Sequence, residues 1–95
     1  MAKIRRLVLD VVIPHTAEVI NLTQDLADEP SIDGANSMVS EIDKSVTNIK
    51  ITIEGTNVSY QKTEDIIKAH GGAIHSIDNV VAGKTIIEDV ETPQD

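Results

Sequence analysis

Between Asn48 and Gly55 the chain reads NIKITIEG, with Ile49, Ile51 and Ile53 in every second place and Asn48, Lys50, Thr52 and Glu54 filling the others. Side chains on a strand point alternately to opposite faces, so this segment has one dry side and one wet side. It demands a sheet that is covered on one face. Ile4 to Ile13, IRRLVLDVVI, supplies a partner: it is rich in branched residues, ends at Pro14, and alternates Leu7, Leu9, Val11 and Ile13 on one side.

Helical spacing separates these strands. Val19, Leu22 and Leu26 recur at steps of three and four after Thr16, a residue able to cap, and Pro30 disfavours helical geometry at Glu29. A second helix is expected to carry Tyr60, Thr63, Ile66, Ile67 and His70 on one side, with Thr56, Asn57 or Ser59 as cap and Glu64 four residues before Lys68 outside. It ends at Gly71 and Gly72; the first suits a left-handed residue just past a helix. SIDGANSMVSEID is the least regular stretch and reads as an edge strand with a bend or bulge near Gly34, turning at Asp43, Lys44 and Ser45. Ala73 to Ala82 is the last strand, and from Gly83 the tail starts apolar and ends acidic, so its end is expected to fray.

The order strand, helix, strand, strand, helix, strand is that of an α+β, ferredoxin-like βαββαβ fold. Right-handed crossovers place its four antiparallel strands in the order 4-1-3-2, with both helices on one face. One such domain accounts for residues 1–95, with 83–95 as a tail.

Composition narrows the function classes. The chain has 95 residues and a formal net charge of −8, and Tyr60 is its only aromatic residue. Nucleic-acid binding rests on basic residues over phosphates and on aromatic stacking, so no nucleic-acid partner is expected. Without cysteine there is no disulfide, thiolate metal site or cysteine nucleophile. No run is long enough to span a bilayer, and MAKIRR passes straight into strand pattern, which points to a soluble cytoplasmic protein with no membrane partner.

RRLVLDVVIPH and GGAIHSIDNVVAGK resemble the two signature stretches of an archaeal domain-of-unknown-function family of small ferredoxin-like proteins, over nearly the whole chain from Arg5. The resemblance implies that fold and oligomeric assembly, and brings no established activity.

End-to-end pairing of the first and last strands, Ile4 opposite Ala82 and Ile13 opposite Ala73, would place His75 and Ile77 on the helix side. The uncovered face would then carry Val8, Val12, Ile74 and Val80, an apolar set that marks an interface between copies. Within it lie Asp10, Asp78 and Ser76, an oxygen-rich group suited to a hard cation such as Ca²⁺ or Mg²⁺ unless Arg6 neutralises it. At the sheet end by the hairpin, His15 and His70 converge as candidate ligand-binding residues. At the opposite end gather Lys3, Arg5 and Lys84, where a phosphate could be held. No nucleophile stands at a known spacing from an oriented base, and no phosphate-binding glycine motif occurs. The expected function is a non-enzymatic oligomeric module of a regulatory or ligand-binding kind, taking a ligand or divalent cation. Alternatives are a structural subunit that docks another protein and, behind it, a small enzyme.

Overall fold

The computed structural model describes residues 1–88. The elements run β1 (Ile4–Ile13), α1 (Glu18–Asp28), β2 (Gly34–Ile42), β3 (Thr47–Glu54), α2 (Tyr60–Ala69) and β4 (Ala73–Ala82). The strands form one antiparallel sheet in the order β2-β3-β1-β4, with β1 and β3 central. This is the ferredoxin-like α+β architecture.

Register explains the core. Leu7, Leu9, Val11 and Ile13 of β1 stand opposite Ile53, Ile51, Ile49 and Thr47 of β3, and all are buried. Leu22 and Leu26 of α1 and Ile67 of α2 close over them, completing a core without an aromatic centre, with Tyr60 packed at its margin. Each helix is held by its amphipathic stripe, which is what makes short helices stable in water.

The helix ends are built differently from one another. The hydroxyl of Ser59 accepts from the Lys62 amide and caps α2, while its last turn closes through Gly71 N–H to Lys68 O and Gly72 N–H to Ile67 O, both at 2.9 Å. That paired closure needs a left-handed residue, and Gly71 has φ 78°. Thr16 does not cap α1 as expected: Ala17 is the N-cap, and the Thr16 hydroxyl instead meets that of Thr47 at 2.8 Å. α1 ends at Glu29, extended ahead of Pro30. The buried Glu29 carboxylate takes hydrogen bonds from the Ser31 hydroxyl and amide and lies 3.7 Å from Lys62 Nζ, which ties the end of α1 to α2.

β2 is an edge strand, and its irregularity falls at Ser40 between Val39 and Glu41 rather than at Gly34. The hairpin turns over Asp43–Val46, closed by Asp43 N–H to Val46 O. Beyond β4, the chain returns across the start of β1: Arg5 donates to Lys84 O, and Arg6 forks onto Glu88. The expected fraying of the acidic end, residues 89–95, lies outside the described residues.

Candidate functional site

The uncovered sheet face can be read in rows from the pairing. Gly34, Glu54, Arg6 and Val81 form one row; Asn36, Thr52, Val8 and Asn79 the next; then Met38, Lys50, Asp10 and Ser76; then Glu41, Asn48, Val12 and Ala73. Val8 and Val12 stand on this face as expected. Ile74 and Val80 do not. β4 carries extra residues at His75 and Asp78 and β1 one at Arg5, and each register shift turns the following side chains over. Ile74 is thereby opposite Val11 and packs against the core, while Val80 is opposite Leu7 and half exposed at the sheet edge. In place of an apolar sheet centre, the face is a polar mosaic whose valines are Val8, Val12 and the buried Val81.

The same bulges decide the aspartates. Asp78 lies on the open side, where Ser76 Oγ donates to its Oδ1 at 2.7 Å and Lys50 Nζ stands 3.4 Å from its Oδ2. The Ser76 hydroxyl, then Lys50, then the nearby charge of His75 hold the Asp78 carboxyl below the usual range. Asp10 shares its row with Lys50 and Ser76. A cation is therefore already beside these carboxylates, and it is an ammonium. Arg6, expected to neutralise them, is committed to Glu54 at 2.6 Å and Glu88 at 2.7 Å, and these pairs, Glu88 foremost, raise its pKa further. His75 was expected on the helix side with a core or rim role; it is exposed instead, because the bulge places it in the extra position of the ladder.

At the hairpin end, backbone convergence holds but the histidines do not share a site. A Cβ on Gly71 would sit 3.4 Å from the Pro14 ring, and Thr16 reaches Thr47, so the three loops meet. His15 is exposed and gives α1 its first carbonyl. His70 is turned to α1: Nδ1 lies 2.9 Å from Glu18 Oε2 and Nε2 lies 2.6 Å from Asp25 Oδ2. Glu18 foremost, then Asp25, raise the imidazole pKa against the effect of its burial. Carboxylates on both ring nitrogens leave neither for a metal, and no group of three or more His, Asp or Glu among the described residues is arranged to hold one.

Two clefts flank the start of β1. One, of about 500 Å³, is lined by Arg5, Asp33, Asn36, Thr52, Glu54 and Ile86 among others, and mixes both charges. The other, of about 640 Å³, is lined by Met1, Ala2, Lys3, Arg5, Thr56, Gly83 and Lys84, with no carboxylate among the described residues. The basic end expected from the sequence is thus a concave surface.

The family profile of DUF211, described as uncharacterized ArCR, matches residues 5–95. The chain belongs to this family. It is also similar to the uncharacterized protein MJ0319 of Methanocaldococcus jannaschii, an archaeon, with 50% identity over 95 residues covering 100% of this chain and 98% of that protein. The DUF211 resemblance in RRLVLDVVIPH and GGAIHSIDNVVAGK therefore stands, and these two stretches are the adjacent strands β1 and β4. Neither description names an activity.

Proposed function

We propose that this DUF211 protein is a non-enzymatic, homo-oligomeric binding module of the cytoplasm whose copies meet through the edges of the sheet. The observation that carries this reading is the placement of large exposed aliphatics. Ile77 and Val80 on β4 are 50% and 52% exposed, and Met38 and Ile42 on β2 are each 65% exposed. Both outer strands thus show apolar side chains, Ile77, Val80 and Ile42 at the margins of the helix-covered side and Met38 on the open side. Edge strands are normally blunted with charge, and aliphatics retained there mark a surface that is covered in use. Bulges at Ser40, His75 and Asp78, in the ladders that join the outer strands to β3 and β1, make both outer strands irregular, so side-chain packing rather than a continuous intermolecular ladder joins the copies.

Divalent-cation binding at Asp10 and Asp78 forms part of this reading only where a neighbouring copy adds oxygens and Lys50 swings away, since Ca²⁺ takes six or more oxygen ligands. Sedimentation velocity over a wide concentration range tests assembly. The expected outcome is a species larger than one chain that the double substitution Ile77→Lys, Val80→Lys reduces to a monomer. A wild-type chain that stays monomeric at high concentration would remove the reading in favour of a surface that docks a different protein.

A further inference from the structure

The cleft of about 640 Å³ beside the start of β1 goes beyond assembly. Three of the chain's eight basic residues, Lys3, Arg5 and Lys84, line it, in a protein of net charge −8. They come from the two ends of the chain. Pairing of Ile4 with Ala82 sets the start of β1 against the end of β4, and Gly83 N–H to Lys3 O at 2.9 Å extends that ladder by one step. Gly83 then takes φ 122°, a conformation other residues rarely adopt, and sends Lys84 back alongside Lys3. Such a turn keeps two ammonium groups on one concave surface against their mutual repulsion.

Arg5 is fixed more firmly. It occupies the extra position in β1, and its guanidinium donates from Nε to Gly55 O at 3.0 Å and from Nη1 to Lys84 O at 2.6 Å. Both acceptors are neutral carbonyls, so the positive charge is held in place without being neutralised there. The two other ordered cations of the sheet contrast with it: Arg6 is paired to Glu54 and Glu88, and Lys50 to Asp78. Thr56 adds a hydroxyl at the rim. We infer that this cleft is an anion site for a phosphoryl group. An oriented guanidinium supplies directed donors, two exposed ammonium groups supply charge, and the volume lies within the range of small-molecule pockets. The site is contained in one chain, so it stands or falls separately from assembly.

The test is a titration of the full chain with inorganic phosphate and, separately, with pyrophosphate, followed by amide chemical shifts in ¹H–¹⁵N spectra at low salt. The expected result is saturable shifts centred on Lys3, Thr56, Gly83 and Lys84 with either anion. The double variant Lys3→Glu, Lys84→Glu, in which both altered side chains are exposed, is expected to bind at least about tenfold more weakly. Lys44→Glu, in the distant hairpin, is expected to bind as the parent does. Tighter pyrophosphate than phosphate binding assigns the site to ligands with more than one phosphoryl group, and equal binding assigns it to a single phosphate. Absence of saturable shifts with both anions overturns the inference, as does equal weakening by Lys44→Glu, which would reduce the effect to general charge.

Discussion

His70 joins two helices with one ring. Its partners Glu18 and Asp25 sit on α1 while it ends α2, so the imidazolium bridges the two helices alongside the Glu29–Lys62 pair. Because both carboxylates favour the charged form, the folded-state pKa lies above the usual value near 6.5. The stabilisation is therefore complete below about pH 6.5 and is lost as pH rises through the raised folded value. Thermal melts between about pH 6 and pH 9 should show the wild-type midpoint falling with pH, and His70→Gln should flatten that slope. The cost of His70→Gln at the acid end is about 1 kcal/mol, since Asp25 is largely solvated. Gly55 offers a second single-residue test. A Cβ there would lie 2.1 Å from the backbone oxygen of Ser31, whereas at Gly34 it meets nothing within 4 Å and φ is not positive. Gly55→Ala should lower stability by about 1–3 kcal/mol in urea titration, while Gly34→Ala should leave it unchanged or slightly raised. Gly71 was legible in the sequence because it follows a helical stripe. The need for Gly55 was not, because Ser31 reaches it from 24 positions away.

At the scale of elements, strict alternation was a reliable guide wherever ladders are regular. β1 and β3 pair residue for residue from Arg6 to Ile13, and their inward sets are those expected. β4 defeats the same rule, since its side chains facing the covered side are Ile74, Ile77 and Val80, spaced by three. Nothing in AIHSIDNVVA announces two bulges, because neither Gly nor Pro marks them and both faces carry branched residues. The candidate site inherited that error in Ile74, Val80 and His75, whereas Asp10, Asp78 and Ser76 were brought together as expected. Lys50 was legible as a wet-face residue, and only the β1–β3 register aims it at the aspartates. Ile74→Asn and Val12→Thr distinguish the two registers by stability alone. Ile74→Asn puts an amide against the core and should cost roughly 2–4 kcal/mol, whereas Val12→Thr on the polar face should cost under about 1 kcal/mol. Similar losses for both would contradict the bulged register.

For the whole molecule, charge and apolar surface pull against each other. Each chain carries a formal −8, so every copy added to an assembly meets repulsion, while Ile77, Val80, Met38 and Ile42 gain from being covered. Salt separates these contributions. The Debye length falls from about 30 Å at 0.01 M to about 10 Å at 0.1 M, which removes most repulsion between chains and leaves apolar contact intact. Edge-to-edge assembly should therefore tighten as sodium chloride rises, shifting the sedimentation boundary toward larger species at fixed protein concentration. Binding in the Lys3, Arg5 and Lys84 cleft depends on attraction between opposite charges and should weaken over the same range. If assembly loosened with salt instead, the copies would be joined by ion pairs, and the open face bearing Glu41, Lys50 and Asp78 would replace the aliphatic edges as the contact.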